Sequence, residues 1–332
     1  MAEGGSVRVS TVDYHTGGEP FRIVPAPPVG IPGGSVAERR VLAIGDTDAD
    51  RLRRLLCHEP RGHADMYGGM LVPPDDDGAR LGVLFFHKDG FSTACGHGTI
   101  ALGVWAVRSG LVDAPADGVA EVPIDVPSGR VTARVHTAAG RVTAADFVSV
   151  PSYLVDDNIV VRTPRGPATV TVSYGGALYA QVEAASLGLA VTPEHLPELI
   201  VLGRQIKAAL AGHPAARHPS DPRLDGIYGT IFFDVLPGAA HQRNVTIFAD
   251  GEVDRSPCGS GTAARVATLA AVGRLAPGQR LLHDSIVGSR FVARYAPGPE
   301  VVPVITGMAY PTGEHTFVVD PDDPMTPGFV LR

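Results

Sequence analysis

The chain contains one short pattern twice, and this repetition constrains its fold more than any other feature of the sequence. "ACGHGTIAL" begins at Ala94 and "PCGSGTAAR" begins at Pro257, so both copies place cysteine, glycine, any residue, glycine and threonine in one frame. In each copy a β-like run and a turn precede the cysteine, and a helical pattern follows it. A glycine 15 residues after the cysteine, Gly110 or Gly273, ends each helical pattern. A repeat of this length predicts two similar α/β halves that face each other.

The segments around the repeat support this α/β (α+β) interpretation. "LGVLFFHKDG" is typical of a strand that ends in a turn, and "TIALGVWAVRSG" places Ile100, Val104 and Trp105 on one helical face. "DTDADRLRRLLCHEP" has an acidic opening and leucines at helical spacing, and Pro60 closes it. The composition of the segments changes near Pro151. We therefore expect a first half at residues 1–150, which carries Cys95, and a second half at residues 151–311, which carries Cys258.

Composition and charge exclude several classes of function. The chain has 332 residues, 44% of them hydrophobic and 19% charged, as expected of a globular protein with a sizeable core. Its net charge of −7 leaves no basic patch for nucleic acid. We find no secretory signal and no apolar run approaching ~18 residues, which predicts a cytoplasmic protein with no membrane contact. The expected partner is a small molecule.

The position of each cysteine at the start of a helix points to acid–base chemistry. Glycines on both sides allow a ligand to approach the backbone, and free amides in the first helical turn bind a carboxylate. The positive end of the helix dipole favours a thiolate at that position. Two such helices in one cleft would hold a carboxylate between Cys95 and Cys258, one acting as base and the other as acid. This arrangement suits inversion of a carbon next to a carboxylate, which needs no metal, flavin or pyridoxal motif.

Three other interpretations of the cysteines remain open at the sequence level. A zinc site could combine Cys57 and His58 with Cys95 and His97, although the Cys-x-x-Cys spacing of common structural sites is missing. Two activated thiols in one cleft could form a redox disulfide. A non-catalytic amino-acid-binding protein would leave the duplicated cysteine unexplained. We interpret Cys57 as a packing residue, because it lies in the apolar pattern of its helix.

Six motifs resemble those of a known family. "DYHTGGEP", "EPRGHADMYG", "CGHGTIALG", "YGGALYA", "VDRSPCGSGT" and "GFVLR" resemble the proline racemase superfamily along essentially the whole chain. That superfamily includes proline racemases, 4-hydroxyproline epimerases and trans-3-hydroxy-L-proline dehydratases. The resemblance implies two pseudo-symmetric domains of the diaminopimelate epimerase-like fold with the active site in the cleft between them. It also implies that segment 312–332 rejoins the first domain, that the protein is a homodimer and that it needs no cofactor.

The resemblance also implies roles for individual residues. Cys95 and Cys258 are similar to the family's two acid–base cysteines, and Asp254 is similar to an aspartate that contacts the ring nitrogen of the substrate. The groups that resemble the cradle of the substrate carboxylate are Gly96, His97, Gly259 and Ser260.

Other residues have two interpretations of equal weight. They could line the wall of the cleft, or they could serve turns and packing: His15, Thr16, His63, Asp65 and Tyr67. We expect selectivity for the ring substituent to reside near segment 218–229, "HPSDPRLDGIYG".

The second cysteine frame divides the evidence within the family. Racemases and epimerases usually have Cys-Gly-Thr-Gly-Thr-Ser-Ala there, whereas this chain has Ser260 and Ala263, which resembles the dehydratase branch. That branch typically replaces the second cysteine with threonine, whereas this chain retains Cys258. Racemisation needs both thiols, so we expect a racemase or epimerase of proline or a hydroxyproline. The alternative is a trans-3-hydroxy-L-proline dehydratase that forms pyrroline-2-carboxylate.

Overall fold

Eighteen strands and five α-helices make up the part of the chain that the structure, a computed structural model, describes: residues 7–45 and 47–331. The helices are α1 (Val36–Ala43), α2 (Asp48–Cys57), α3 (Gly96–Arg108), α4 (Leu196–Ala209) and α5 (Gly259–Ala271). The strands of the first part of the chain are β1 (Val7–Thr16), β2 (Glu19–Val24), β3 (Tyr67–Val72), β4 (Leu81–His87), β5 (Gly90–Phe91), β6 (Gly118–Val126), β7 (Gly129–Ala138) and β8 (Arg141–Val148). The later strands are β9 (Tyr153–Thr163), β10 (Gly166–Tyr174), β11 (Leu178–Glu183), β12 (Ile227–Val235), β13 (His241–Phe248), β14 (Glu252–Asp254), β15 (Leu281–Ser285), β16 (Arg290–Tyr295), β17 (Pro303–Gly307) and β18 (Ala309–Val319).

The expected helices form at the expected places. In α2 the Thr47 hydroxyl caps the helix by accepting a hydrogen bond from the Asp50 amide at 3.1 Å, and the helix ends at Cys57, before Pro60. Helices α3 and α5 follow the two cysteines directly. Helix α3 is buried on all its faces from Gly96 to Ala106. Strands β1, β2, β6, β7, β8 and β18 surround this helix.

The strand pairing repeats itself between the two halves. In the first half, β1–β2 is antiparallel, β2–β3 parallel, β3–β4 antiparallel, β4–β6 parallel, and β6, β7 and β8 follow as antiparallel neighbours. The same sequence of pairings occurs in β10–β11, β11–β12, β12–β13, β13–β15 and then β15, β16 and β17. The duplicated cysteine pattern therefore belongs to a duplicated strand topology.

Two strand pairs connect the halves. Strands β8 and β17 are the last strands of their halves, and they pair antiparallel with each other. The carboxy-terminal strand β18 pairs with β1, in the position that β9 takes beside β10. The returning strand begins at Ala309, and the expected domain limits remain a prediction.

The described helices and the range of described residues bear on the expected location. Among the helices of the described residues, none combines the length and the apolar character that crossing a lipid bilayer requires. Residues 1–6, Asp46 and Arg332 lie outside the described part of the chain. The structure therefore describes only part of the amino-terminal segment, on which the cytoplasmic prediction depends. It also describes only part of the acidic segment that begins at Asp46.

Candidate active site

The two cysteines occupy equivalent capping positions on α3 and α5. Cys95 is the N-cap of α3, and its Sγ accepts a hydrogen bond from the Gly98 amide at 3.2 Å. Cys258 is the N-cap of α5, and its Sγ accepts one from the Gly261 amide at 3.3 Å. Each thiol thus lies at the electropositive end of a helix, as the sequence pattern predicts.

The glycines of the repeated pattern explain how the two helices meet. A Cβ atom on Gly96 would lie 2.6 Å from the Gly259 Cα, and one on Gly259 would lie 2.5 Å from the Gly96 Cα. Real Cβ atoms do not approach the backbone so closely, so a side chain at either position would push the helices apart. Glycine after each cysteine therefore allows the N-termini of α3 and α5 to abut.

A narrow cavity lies at this junction. Its lining combines both halves: Tyr67, Ala94, Cys95, His97, Tyr179, Tyr228, Thr246, Phe248, Asp254, Cys258 and Ser260. Every one of these residues is buried except Tyr228, which is half-buried. The structure therefore brings Cys95, His97, Asp254, Cys258 and Ser260 together around one cavity, while Gly96 and Gly259 form the backbone contact between the helices.

An imidazole accompanies the first thiol. His97 Nδ1 lies 3.5 Å from Cys95 Sγ and 4.0 Å from the Asp254 Oδ2 of the other half. The Thr16 hydroxyl donates a hydrogen bond to the His97 carbonyl at 2.9 Å, and the ring of Phe21 packs edge-on against the imidazole. Contacts from β1 and β2 therefore hold His97 beside the first thiol.

Hydroxyl groups and a carboxylate accompany the second thiol. The Tyr179 hydroxyl lies 3.9 Å from Cys258 Sγ and 2.8 Å from the Ser260 Oγ. Asp254 Oδ1 accepts hydrogen bonds from the Ser256 amide at 2.8 Å and the Ser256 hydroxyl at 2.7 Å. The backbone of Cys258 has φ +61°, a conformation that costs a non-glycine residue about 1–3 kcal/mol.

Of the residues proposed for the cleft wall, only Tyr67 lines the cavity. Asp65 Oδ1 accepts a hydrogen bond from the Val253 amide at 3.1 Å, so it connects the two halves outside the cavity. The His15 Nδ1 accepts a hydrogen bond from the Gly18 amide at 3.2 Å in its own turn. The turn-and-packing interpretation therefore holds for His15 and for Thr16, whereas His63 does not reach the cavity lining.

Burial reverses the expected protonation of the thiols. Desolvation raises the pKa of Cys95 and that of Cys258 above the ordinary value, and it outweighs the amides of Gly98 and Gly261, which lower them. The helix dipole alone predicts the opposite. Burial also lowers the pKa of His97 to about 4, so its imidazole is neutral near pH 7. At neutral pH both buried cysteines therefore carry their protons.

The described residues give no geometric support to the zinc alternative for the cysteines. All three cysteines have free thiols. Within residues 7–45 and 47–331, the cluster with metal-ligand spacing consists of His87, Asp89 and Glu252, and it contains no cysteine. The Lys88 ammonium already lies 2.8 Å from Asp89 Oδ2 and 4.0 Å from Glu252 Oε1, so a protein cation already lies next to both carboxylates.

Sequence reasoning missed part of the cavity. It assigned no role to Tyr179, Thr246 or Phe248, although "YGGALYA" is among the motifs quoted above and contains Tyr179. Tyr228 belongs to the segment expected to carry selectivity. The signal that could have found them is the internal duplication, because these residues lie on β11, β12 and β13, which repeat the strands before the first cysteine.

The paired cysteines, abutting helices and shared cavity agree with the family comparison. The model of the proline racemase family matches residues 11–330. This chain belongs to the proline racemase family. The expected α/β fold and the family resemblance are confirmed.

Two relatives span almost the whole chain. A trans-3-hydroxy-L-proline dehydratase from Azospirillum brasilense is 41% identical over 98% of this chain and 98% of its own. A 3-hydroxyproline 2-epimerase from Burkholderia multivorans is also 41% identical, with the same coverage of 98% and 98%. In sequence, this chain is therefore as similar to an isomerase as it is to a hydro-lyase.

A solved structure carries the same fold. A hydroxyproline epimerase from Agrobacterium vitis with bound trans-4-OH-L-proline has a TM-score of 0.91 and 30% identity, covering 98% of this chain and 95% of that one. Family membership makes this chain an enzyme of the isomerase or hydro-lyase type.

Proposed function

We propose that this chain is a cofactor-independent epimerase that inverts C2 of 3-hydroxyproline with two cysteines. The observation that carries the proposal is the placement of Cys95 and Cys258 at equivalent N-caps in one cavity, each from its own half. Inversion needs a base on one face of the α-carbon and an acid on the other. Two thiols from opposed halves supply this pair.

The proposed reaction consists of two proton transfers. One cysteine, as thiolate, takes the α-proton, and the electron pair of the broken C–H bond moves into the carboxylate. The other cysteine, as thiol, then gives its proton to the opposite face of the same carbon. Amides of the abutting first turns, at Gly96 and Gly259 among others, stabilise the developing negative charge.

Because the thiol pKa values are raised, the bound substrate must itself promote formation of the thiolate. Burial disfavours a thiolate, whereas the ring ammonium of a bound proline derivative stabilises a negative charge beside it, so substrate binding favours loss of one thiol proton to water. In this arrangement the Asp254 carboxylate accepts hydrogen bonds from the ring N–H groups of the substrate. His97 and Ser260 complete the carboxylate cradle from the two helices.

The choice of 3-hydroxyproline rests on the relatives and on the polar lining. Both relatives above are named for reactions of 3-hydroxyproline. The cavity presents the hydroxyls of Tyr67, Tyr179 and Thr246, which can donate to or accept from a ring hydroxyl.

Dehydration of trans-3-hydroxy-L-proline is the second candidate, and the names of several relatives favour it. One thiolate would take the α-proton, the electron pair would form the C2=C3 bond, and the C3–O bond would break. The leaving hydroxide would take a proton from the second thiol and depart as water. The ring product is a pyrroline-2-carboxylate.

Proton NMR in D₂O distinguishes the two reactions. The enzyme would be incubated separately with trans-3-hydroxy-L-proline, trans-4-hydroxy-L-proline and L-proline. The proposal predicts loss of the α-proton signal of the 3-hydroxy compound and new signals of cis-3-hydroxy-D-proline. Conversion to pyrroline-2-carboxylate without the inverted isomer would establish the dehydratase. Inversion of only the other two compounds would reject 3-hydroxyproline as the substrate.

We also propose a homodimer, as the family resemblance implies. Sedimentation equilibrium of the purified protein tests this directly. A monomer at micromolar concentration would contradict it.

A further inference from the structure

Tyr228 is the most exposed residue in the wall of the cavity. Among the cavity-lining residues of the described chain, it alone is not buried. The same side chain also lines an open groove on the protein surface. Tyr228 therefore lies between solvent and the cavity that holds the two thiols.

The groove lies between the two halves. Segment 87–93 of the first half forms one side, and helix α4 with segment 224–228 of the second half forms the other. A change in the separation of the halves would therefore alter the width of this groove.

A pair of tyrosines closes the wall between groove and cavity. The Tyr67 hydroxyl, from the first half, lies 3.1 Å from the Tyr228 hydroxyl, from the second half. Tyr67 also hydrogen-bonds Ser92, which is among the residues that line the groove. Separation of the halves would break the tyrosine contact and connect the groove with the cavity.

The positively charged side chain of Arg40 lies near this wall. The Arg40 side chain lines the groove, and it donates hydrogen bonds to the Phe91 carbonyl at 2.8 Å and the Arg223 carbonyl at 3.2 Å. Its guanidinium is close enough to Tyr67 and Tyr228 for those hydroxyls to influence its pKa, which burial lowers. None of the ion pairs found among the described residues involves Arg40. Its charge is thus available to an entering anion.

The other charges of the groove are compensated within the protein. Arg204 pairs with Asp250 at 2.8 Å, and the Lys88 ammonium lies 2.8 Å from the Asp89 carboxylate. Lys207 donates a hydrogen bond to the Ala249 carbonyl, and the carboxylates of Asp89, Asp250 and Glu252 act on its charge. Arg40 is therefore the residue best placed to attract a carboxylate toward the tyrosine pair.

We propose that this groove is the entrance to the active site, that Tyr67 and Tyr228 form its gate, and that Arg40 binds the carboxylate of the incoming substrate before the gate opens. The identity of the carboxylate rests on the proposed function, whereas the entrance route does not. Arg40 is a docking residue in this account and takes no part in proton transfer.

Alkylation of the two cysteines tests the charge of the entrance without any turnover. Iodoacetate carries a carboxylate and iodoacetamide does not, so the ratio of their rates reports the attraction at the entrance. Mass spectrometry of peptides would follow Cys95 and Cys258 separately, and labelling of the buried Cys57 would report unfolding. We expect Arg40→Gln to lower the iodoacetate-to-iodoacetamide ratio roughly fivefold to tenfold, the scale of electrostatic steering. Arg40→Lys should restore most of it.

An unchanged ratio in Arg40→Gln would reject Arg40 as the docking residue. A ratio that falls equally in Arg40→Lys would also reject it, since a charge effect must survive the exchange of one cation for another. Neither result depends on which carboxylate the enzyme transforms, so failure of the proposed function would leave this test intact.

Two neighbouring alanines on α4 test the route itself. Ala208 is exposed and lines the entrance groove, whereas Ala209 is exposed and lines a different groove, beside segment 156–162. We expect Ala208→Trp to slow alkylation of both cysteines by both reagents about tenfold by narrowing the entrance. The matched variant Ala209→Trp should alkylate at the wild-type rate. Equal rates in the two variants, both with unchanged thermal midpoints, would overturn the proposed route.

Discussion

The two halves share a backbone design but surround their thiols with different side chains. The strand register and the cysteine spacing pair six residues across the halves: Phe21 with Tyr179, Ser92 with Asp254, and His97 with Ser260. The first thiol thus has an imidazole and an apolar ring beside it, and the second has hydroxyls and a carboxylate. The duplicated scaffold provides two opposed thiols, and the divergent side chains make the two faces of the substrate chemically distinct.

The backbones also differ at the cysteines. Cys95 is extended, with φ −155° and ψ 103°, whereas Cys258 has φ +61° and ψ 111°. Cys95 lies three residues after Ser92, and Cys258 lies four residues after the equivalent Asp254. The longer loop reaches the same helix N-cap by a strained path, and the strain lies in the half that carries the carboxylate.

The largest expected effect concerns what the halves have in common. Gly96→Ala and Gly259→Ala should each lower kcat by about a hundredfold or more, because a displacement of about 1 Å misaligns both thiols. Steady-state kinetics on both epimers would measure the loss. Gly30→Ala is the matched control, since a Cβ there meets nothing within 4 Å. Near-normal activity in either active-site variant would mean that the helices need not abut.

The next effect concerns a difference between the halves. Asp254→Asn should lower kcat/KM by roughly tenfold to a hundredfold, because hydrogen bonds to a charged group contribute about 1.5–3 kcal/mol. Ser92→Ala, at the equivalent position, should cost less than about tenfold, since a neutral hydrogen bond contributes about 0.5–1.5 kcal/mol. Equal losses in the two variants would remove the proposed asymmetry.

Acid stability provides a third comparison. Burial lowers the pKa of His97 from 6.5 to about 4, so below pH 6.5 the unfolded chain binds a proton that the folded protein does not. Stability should therefore fall as the pH decreases from 6.5 to 4. His97→Gln should reduce this fall by on the order of 2 kcal/mol at pH 5. Urea unfolding at pH 7 and pH 5 would test it, and parallel pH profiles for wild type and variant would contradict it.

The smallest expected effect comes from a substitution that makes the second half resemble the first. Tyr179→Phe removes the hydroxyl 2.8 Å from Ser260 and 3.9 Å from the Cys258 thiol. We expect kcat/KM to fall about twofold to tenfold, the value of one neutral hydrogen bond. Tyr310→Phe, on the exposed face of β18, should have no effect. A loss of more than about a hundredfold would assign Tyr179 a direct part in the reaction.

The sequence predicts the duplicated elements because their signals are local. The strand, turn, cysteine and helix follow one another within about 25 residues in each half, and the glycines mark both the approach of the helices and their ends. The return of β18 to β1 has no local signal, since its partner lies some 300 positions earlier, and only the family resemblance implied it.

The missed parts of the site depend on tertiary structure. Tyr179 and Phe248 have the appearance of ordinary strand residues, and only the sheet register places them against the cysteines. The protonation of the thiols could not be predicted either. A helix N-terminus favours a thiolate, but Cys95 and Cys258 are buried so completely that desolvation outweighs this effect.

The central claim is that each half contributes one thiol to opposite faces of the same carbon, and single-cysteine variants test it most directly. Proton NMR in D₂O would follow Cys95→Ser and Cys258→Ser with each C2 epimer of 3-hydroxyproline, and Cys57→Ser would serve as control. The account predicts that both variants lose inversion, that each retains α-proton exchange with only one epimer, and that the two variants retain opposite epimers. Inversion at the wild-type rate in either variant, or exchange of the same epimer by both, would contradict it.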